Sequence, residues 1–354
     1  MGYVFDERWI AELTKQNVLK SKHQQSRLYR LIIDPKRSEL REWIEQQVAL
    51  LPSNKQHRVV GQLRSIRSFE ATCNELVVGV TLRRFGHDPQ YEADLVGKTP
   101  DWYVDQVGHA QFFIVEVVTV FPPQEVMREE QLGEQLRDRL QSIQDYFHLM
   151  LNVEHGNSLV GVDQVAIVRF AAKWLRSISP TDRGQPHKTR YTSDGFSMDL
   201  TAVPRKTSHK ASVLSGGPLT TMWVDSQRLK NALRQKLSKY RQAKELGIPL
   251  VIAVVPTFSS GLGADDLLDV LFGQEQLVLQ YQGDTILGSG MSRARNGMIL
   301  PQGSDDESVV LNTRLSAVLL ILGTELSEIK VVHNPYARHP ISQAVFPGSS
   351  HLSL

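Results

Sequence analysis

The sequence predicts an α/β protein in which a mixed central sheet is flanked by helices. Short apolar runs with the length and residue types of strands recur along the chain, notably at 112–120, 249–255 and 315–322. Apolar residues at helical spacing lie between such runs, as they do at 225–245. The composition, 41% hydrophobic and 22% charged, is that of a folded globular protein.

Length and cysteine content bound the class of protein further. A chain of 354 residues suits one elaborated core or two domains. The single cysteine, Cys73, cannot form an internal disulfide or a cysteine-based zinc site, and we expect a small buried side chain on a helix. Residues 1–20 contain no apolar signal segment, and no stretch reaches the roughly 20 apolar residues of a membrane span. A cytoplasmic protein without membrane contact is therefore expected.

The distribution of charge is more informative than its sum. A formal net charge of +2 does not by itself indicate nucleic-acid binding, because phosphate binding needs a local basic surface. Basic residues do gather locally, at 55–67, 173–210 and 228–244. Such runs form solvated faces more often than they form polyanion sites.

The first part of the chain is predicted to be helical. Apolar residues at helical spacing indicate an N-terminal helical extension, residues 1–58. A helix of a different kind, apolar around most of its circumference, is predicted at 69–85 with Gly86 at its C-terminal cap. A helix with this pattern is buried on several sides.

Three strands are predicted next, at 88–95, 101–107 and 112–120. A long amphipathic helix is expected to follow, and then a strand at 162–170. A strand, a helix and a strand of these lengths indicate a parallel crossover unit. The apolar stripe of the predicted helix consists of Val126, Leu132, Leu136, Leu140, Ile143, Phe147 and Met150.

The core is predicted to span residues 59–256 with one insertion at about 171–222. The insertion is polar, and alternating apolar residues after the turn at Asp194 and Gly195 indicate a hairpin that projects from the core rather than a separate domain. Residues 257–354 are expected to form a C-terminal α/β extension packed on the core. Its main strand candidates are 315–322 and 328–333.

Two carboxylates stand out against this framework. Glu116 lies in a strand that is apolar on both faces, and burying a lone carboxylate costs several kcal/mol unless it is paired, protonated or bound to a cation. The preceding strand opens with Pro100 and Asp101, and an antiparallel hairpin around Gly108 would bring Asp101 beside Glu116. Two carboxylates on neighbouring strands can hold one hard divalent cation, or they can be a purely structural pair.

A third acidic residue, Glu75, lies in the buried helix. At about 100° per residue it falls on the side of Val78, Gly79 and Leu82 rather than on a solvent-exposed stripe. Glu75 therefore also needs a partner, either in a functional site or in a cap or an ion pair with an arginine.

This arrangement resembles the PD-(D/E)XK nuclease superfamily, which has the restriction-endonuclease-like fold. The likeness consists of Glu75 in a helix, Pro100-Asp101 at the start of one strand and Glu116 inside the next, followed by a helix and a strand. It covers roughly residues 60–170 and 223–256. The resemblance implies that Asp101 and Glu116 bind Mg²⁺ or Mn²⁺, that Glu75 completes the metal site, and that a lysine stabilises the attacking water and the developing phosphorane.

The sequence departs from the family at the lysine of the motif, because Val118 stands in its place. Either catalysis is lost, or the ammonium comes from a neighbouring element, which some members of the superfamily allow. On the helix at 225–245, Lys236 lies inside the apolar stripe and Lys239 lies at its edge. Lys236 is the candidate for a migrated catalytic lysine, unless its ammonium simply reaches the rim of the stripe. The stripe consists of Leu229, Leu233, Leu237, Tyr240 and Ala243.

Three classes of function remain open from the sequence. The first is a magnesium-dependent nuclease, a hydrolase that acts on nucleic acid, with DNA as the expected partner and with Glu75, Asp101, Glu116 and Lys236 as site residues. The second is an inactive protein of the same fold that binds nucleic acid or serves as a structural component. The third is a hydrolase or transferase acting on a small molecule. A homodimer or a larger defence complex is compatible with the first two, and fold alone decides none of them.

Overall fold

A computed structural model gives the three-dimensional structure. The residues that it describes are 4–18, 27–95, 97–105, 112–122, 124–154, 156–179, 182, 184–210, 213–215, 226–240, 247–257, 261–282, 285–299, 301–302, 309–310, 312–322 and 328–352. The chain divides into two compact units. Unit 1 consists of Met1–Glu12, Arg30–Phe121 and Val224–Leu354, and unit 2 consists of Leu13–Tyr29 and Pro122–Trp223.

The helices and strands of the described residues are these. The helices are α1 Glu7–Asn17, α2 Arg27–Ile33, α3 Ser38–Ala49, α4 Ser53–Leu63, α5 Phe69–Arg84, α6 Gln124–Gln141, α7 Gln164–Ser177, α8 Ser226–Lys239 and α9 Ala264–Phe272. The strands are β1 Pro89–Tyr91, β2 Trp102–Val104, β3 Phe113–Val120, β4 Gln144–Val153, β5 His187–Ser193, β6 Phe196–Lys210, β7 Val213–Ser215, β8 Leu250–Pro256, β9 Glu275–Gln282, β10 Thr285–Arg293, β11 Pro301–Gln302, β12 Val309–Val310, β13 Leu315–Leu322, β14 Glu328–His333 and β15 Ser350–Leu352.

Unit 1 is built around a seven-stranded mixed sheet in the order β1-β2-β3-β8-β13-β14-β15. The strands β1, β2 and β3 are antiparallel to one another, and β3, β8 and β13 are parallel. The strand β14 returns antiparallel to β13, and β15 pairs parallel to β14. The predicted α/β class with a mixed central sheet is confirmed, and the strands predicted at 315–322 and 328–333 are both present.

The centre of this sheet is buried on both faces, as the continuous apolar sequences of β3 and β8 require. Alternate residues of β3 therefore pack against the helices on opposite faces of the sheet. Ile114 and Val118 pack in the apolar cluster that contains the leucines of α8. On the other face, Thr119 accepts a hydrogen bond from Asn74 of α5. The helices α5 and α8 thus lie on opposite faces of β3.

Gly79 lets α5 approach the sheet closely. A Cβ atom at this position would overlap the indole ring of Trp102, which is buried on β2. The ring has little freedom to move, because its Nε1 donates to the carbonyl oxygen of Glu75 at 2.9 Å. Gly79 is therefore required by the helix–sheet contact, although a glycine inside a helix is intrinsically unfavourable.

Replacing Gly79 by alanine should lower the free energy of unfolding by about 2 to 4 kcal/mol, because the added methyl group must displace Trp102 or the helix. The matched control is Gly61→Ala in α4, where the new Cβ atom meets nothing within 4 Å apart from the backbone of its own helix and its chain neighbours. That change should leave stability equal or raise it by up to about 1 kcal/mol. Urea unfolding of both variants measures the difference, and equal effects at the two sites would contradict this account.

Unit 2 has its own sheet and core. Its four strands have the order β5-β6-β4-β7, and its apolar cluster combines residues of β4, β5 and β6 with residues of α6 and α7. The predicted hairpin is confirmed: β5 and β6 pair antiparallel, with Ser193 opposite Phe196. Asp194 and Gly195 both have positive φ angles, 41° and 79°, as a two-residue hairpin turn requires.

Two predicted elements in this region are wrong. The long helix ends at Gln141, and Phe147 and Met150, which were expected to continue its stripe, belong to β4. Within β4, Phe147, Leu149 and Leu151 are all fully buried. Burial therefore repeats every two residues, as in a strand, and not at helical spacing. The strand predicted at 162–170 is instead helix α7.

The start of α7 carries a helix signal that explains this second error. The side chain of Asp163 accepts hydrogen bonds from the backbone N–H groups of Val165 and Ala166, which is an N-terminal cap. Residues four apart along α7 are then buried, namely Ile167, Ala171 and Leu175.

These errors also change the topology. The predicted crossover from β3 to a strand at 162–170 does not exist, because the parallel neighbour of β3 is β8. The separate unit between β3 and α8 spans Pro122–Trp223, with its own core, rather than a hairpin insertion at 171–222 alone. The residues expected as a C-terminal extension belong to unit 1 and contribute β13, β14 and β15 to its sheet.

None of the helices that the structure describes is both long enough and apolar enough to cross a membrane.

Candidate functional site

The antiparallel pairing of β2 with β3 brings Asp101 to Glu116. Trp102 lies opposite Val115, so that the residues just outside this pair, Asp101 and Glu116, are neighbours across the two strands. The Oδ2 atom of Asp101 accepts a hydrogen bond from the backbone N–H of Val117 at 2.6 Å. This bond fixes the Asp101 carboxylate against the middle of β3. Gly108, the expected centre of the connecting turn, lies outside the described residues.

Lys236 lies between these two carboxylates. Its Nζ atom is 2.7 Å from Oδ2 of Asp101 and 2.7 Å from Oε2 of Glu116. Because both oxygens contact one nitrogen atom, they are separated by no more than twice that distance. The structure therefore brings together Asp101, Glu116 and Lys236, three of the four residues that the sequence indicates.

The other oxygen of Glu116 has two partners that sequence reasoning did not assign to the site. Lys239 donates from Nζ to Oε1 of Glu116 at 2.6 Å and also to the carbonyl oxygen of Thr99 at 2.6 Å. The hydroxyl group of Tyr240 donates to the same Oε1 atom. Glu116 is fully buried, and these three donors explain how a carboxylate is tolerated there.

The geometry of α8 explains why the three donors converge. Lys236, Lys239 and Tyr240 are related by steps of three and four residues, so they project from one face of the last helical turn and the residue after it. This spacing could have identified all three donors from the sequence. It places them beside the leucine stripe of α8, which must pack on the sheet. The C-terminal end of a helix also favours positive charge.

The site is electrostatically balanced. It contains two carboxylates, Asp101 and Glu116, and two ammonium groups, Lys236 and Lys239. Burial alone would lower the pKa of Lys236, but the charges of Asp101 and Glu116 outweigh it and raise this pKa, so the ammonium stays protonated. Burial and the Glu116 charge raise the pKa of Tyr240, which therefore remains a hydrogen-bond donor. The lysine side chains are 28% and 33% exposed, so solvent reaches the site.

Glu75 takes its hydrogen bonds outside this pair, although the charges of Asp101 and Lys236 act on it. Its Oε2 atom accepts a hydrogen bond from the Tyr91 hydroxyl at 2.7 Å, and its backbone oxygen accepts from Trp102. These partners lie on the α5 side of the sheet, whereas Glu116 binds α8. Glu75 therefore ties α5 to the strands β1 and β2.

The environment of Glu75 shifts its titration. Burial raises the pKa of Glu75 to about 7, the Tyr91 hydrogen bond opposes this shift, and the negative charge of Asp101 adds to it. Because this pKa exceeds the usual value of 4.5, the folded state binds the proton more tightly than the unfolded state does. The stability due to this proton is present at low pH and is lost as the pH rises through about 7.

Glu75→Gln should therefore be more stable than the wild type at pH 8 and about equally stable at pH 5. The expected gain at the higher pH is about 1 to 3 kcal/mol, since the amide is neutral at every pH and its oxygen can still accept from Tyr91. Urea unfolding at the two pH values measures it. The exposed Glu39, changed to Gln, controls for the loss of a surface charge, and an equal gain at both pH values would contradict the interpretation.

Val118, which stands where the family has its lysine, is a core residue. It is 4% exposed and belongs to the apolar cluster that includes Leu229 and Leu233 of α8. Val118 and Glu116 project from the same face of β3, so a lysine at position 118 would lie among those leucines. The ammonium of Lys236 reaches Glu116 from α8. A positive charge is therefore present at Glu116 although the lysine of the motif is absent.

The carboxylate pair fits a cation that takes oxygen ligands. One oxygen of each carboxylate, Oδ2 of Asp101 and Oε2 of Glu116, already contacts a positive group, the Lys236 ammonium. Magnesium is commonly bound through one or two carboxylates together with water and substrate phosphates. In the part of the chain that the structure describes, no three or more His, Cys, Asp or Glu side chains form a metal-binding group, which agrees with the separate position of Glu75.

A cleft of about 810 Å³ in unit 1 is distinct from this site. It is lined by residues 49–56 and 89–94 together with Arg83 and Trp102. None of the carboxylate and lysine groups described above lines it. Two residues of the basic run at 55–67, Lys55 and Arg58, form ion pairs with Glu92 beside this cleft. Their charges are therefore already paired.

Comparison of the sequence with protein-family models finds no match, and comparisons with curated proteins and with solved structures find none either. Function must therefore be inferred from the site itself.

Proposed function

We propose that this protein is a divalent-metal-dependent nuclease of the PD-(D/E)XK type, which hydrolyses phosphodiester bonds of nucleic acid, DNA in the first instance. The observation that carries the proposal is the contact of one lysine with both carboxylates: Lys236 lies 2.7 Å from Asp101 and 2.7 Å from Glu116. An acid pair with an adjacent ammonium is the arrangement that phosphodiester hydrolysis needs.

The order of elements supports a restriction-endonuclease-like core. A helix, three antiparallel strands, a second helix and a parallel strand follow one another as α5, β1, β2, β3, α8 and β8, with residues 122–223 inserted after β3. The acid pair lies on the second and third of these strands, and the lysine lies on the second helix. This is the arrangement that a lysine migrated from position 118 requires.

The residues take distinct roles in the proposed reaction. Asp101 and Glu116 hold Mg²⁺ or Mn²⁺, and such a cation, when bound, stabilises negative charge on phosphoryl oxygens. Lys236 orients and stabilises the attacking hydroxide and then the charge of the phosphorane, because its ammonium is already fixed beside both carboxylates. Tyr240 holds the orientation of Glu116. Glu75 ties α5 to β1 and β2 through its hydrogen bonds, and its carboxyl group interacts with the charges of Asp101 and Lys236.

A second function, an inactive protein of the same fold, is favoured by one specific observation. Both oxygens of Glu116 accept hydrogen bonds from the chain itself, so the acid pair is neutralised without a metal ion. A structural protein would need no more than this. Divalent-cation binding separates the two functions, because only the nuclease requires it.

The test begins with the purified wild-type protein. We expect cleavage of DNA with Mg²⁺ or Mn²⁺ and none with EDTA, with RNA as a parallel substrate. A crystal soaked in Mn²⁺ should have anomalous density at the carboxylate oxygens of Asp101 and Glu116. Absence of both cleavage and metal binding at millimolar Mn²⁺ would reject the nuclease and leave the structural protein.

A further inference from the structure

The two lysines at the acid pair are held differently. Lys236 contacts two carboxylates, whereas Lys239 contacts one carboxylate oxygen and the neutral carbonyl group of Thr99. Lys239 is also the last residue of α8, and its side chain is 33% exposed. Its ammonium therefore has one charged partner where that of Lys236 has two, and its further contact is the Tyr240 ring, whose centroid is 5.6 Å away.

The position of Lys239 conflicts with cation binding by Glu116. The Oε1 atom already accepts from Lys239 and from Tyr240, and Oε2 accepts from Lys236. With two ammonium groups present, the acid pair has no net negative charge to attract a divalent cation. An ammonium must leave before Glu116 can coordinate a metal ion, and Lys239 gives up the smaller interaction.

We propose that Lys239 is a displaceable counter-ion of the acid pair, which occupies Oε1 of Glu116 in the metal-free protein and transfers to a phosphate group of the nucleic acid when a divalent cation binds. This inference rests on the proposed function. The flexible lysine stem allows the transfer, because the Nζ atom can swing into solvent while α8 stays in place. A phosphate bound beside the site gives the released ammonium a new partner of the same charge as the old one.

Two measurable consequences follow. Without nucleic acid, Lys239 competes with the cation, so the metal affinity of the wild type is lowered. With nucleic acid, the competition is relieved, so each ligand raises the affinity for the other by the same factor. A lysine that only stabilises the fold would produce neither effect.

The experiment measures Mn²⁺ binding by calorimetry to the wild type, Lys239→Met and Lys239→Gln. Both variants remove the charge, and glutamine keeps a hydrogen-bond donor for Glu116 in case the methionine variant folds poorly. Each should bind Mn²⁺ at least about tenfold more tightly than the wild type. Lys230→Met is the matched control, since Lys230 lies on the same helix but donates to the backbone of Asn296, and it should bind Mn²⁺ as the wild type does.

The second measurement uses short duplex DNA with phosphorothioate linkages, which resist cleavage. Mn²⁺ should strengthen DNA binding by the wild type, and this strengthening should shrink by at least about threefold in both Lys239 variants, as seen in fluorescence anisotropy. Both results are required, and unchanged Mn²⁺ affinity or unchanged coupling overturns the role of Lys239. If neither the wild type nor the variants bind Mn²⁺, the proposed nuclease function itself fails. If the wild type binds Mn²⁺ and the variants bind it equally well, only the displaceable lysine fails.

Discussion

Asp101→Asn should abolish metal-dependent cleavage, with a loss of at least about a thousandfold in rate. The change removes one of the two carboxylates that the proposed cation site contains, and Asn cannot replace the lost charge. The amide oxygen can still accept the hydrogen bond from the N–H of Val117, so β2 and β3 stay in register. Cleavage at a series of Mn²⁺ concentrations measures the loss. Wild-type activity in this variant would show that a contaminating enzyme cuts the DNA.

The stability of Asp101→Asn is a control on its interpretation. Two crowded carboxylates would repel each other, and removal of one would then stabilise the fold. In this site, however, Lys236 contacts both carboxylates, so the change leaves the ammonium with one charged partner instead of two. We therefore expect a decrease of about 1 to 3 kcal/mol in the free energy of unfolding, too small to unfold the protein at room temperature.

Lys236→Ala should reduce the rate of cleavage at least about a hundredfold. Lys236 is the one residue described here whose side chain contacts both Asp101 and Glu116. Its loss removes the positive charge beside the attacking oxygen while leaving both carboxylates in place. Single-turnover cleavage at saturating Mn²⁺ isolates the effect on the chemical step from the effect on metal affinity.

Lys230→Ala is the control for Lys236→Ala, because it removes a lysine from the same helix without touching the acid pair. Its single-turnover rate should equal that of the wild type. Val118→Lys combined with Lys236→Ala returns an ammonium to the sheet face of Glu116 and should recover part of the rate. Recovery should be incomplete, because Val118 lies in the apolar cluster under α8. A Lys236→Ala protein that cuts at the wild-type rate would exclude the migrated-lysine mechanism.

Local sequence patterns predicted the centre of unit 1 well. The strands β3, β8, β13 and β14 lie within a residue or so of the apolar runs that indicated them, because strands buried on both faces have a strong sequence pattern. The pattern was weaker in unit 2. Phe147 and Met150 are three residues apart and therefore satisfy a helical stripe, but in β4 Phe147 is buried and Met150 is exposed. Packing in the apolar cluster of unit 2 instead selects Phe147, Leu149 and Leu151, which are two apart.

The acid pair was predictable because its cause is local. A carboxylate in an apolar strand needs a partner, and Asp101 lies at the start of the preceding strand, across a short connection. Glu75 met the same sequence criterion but found its partners on another face of the sheet, in Tyr91 and Trp102. A helical pattern gives the direction of a side chain relative to its own helix, and it does not give the residue that this side chain meets.

The sequence by itself indicated that Glu116 is buried and needs a partner, that an antiparallel hairpin would make Asp101 its neighbour, and that Lys236 lies inside the apolar stripe of its helix. Only the tertiary structure decided that Lys236 contacts both carboxylates and that Lys239 and Tyr240 share Glu116. The physical reason is the separation along the chain. The pairing of β3 with β8 and the packing of α8 on β3 join segments more than 100 residues apart, across the whole of residues 122–223, and no local periodicity encodes that contact.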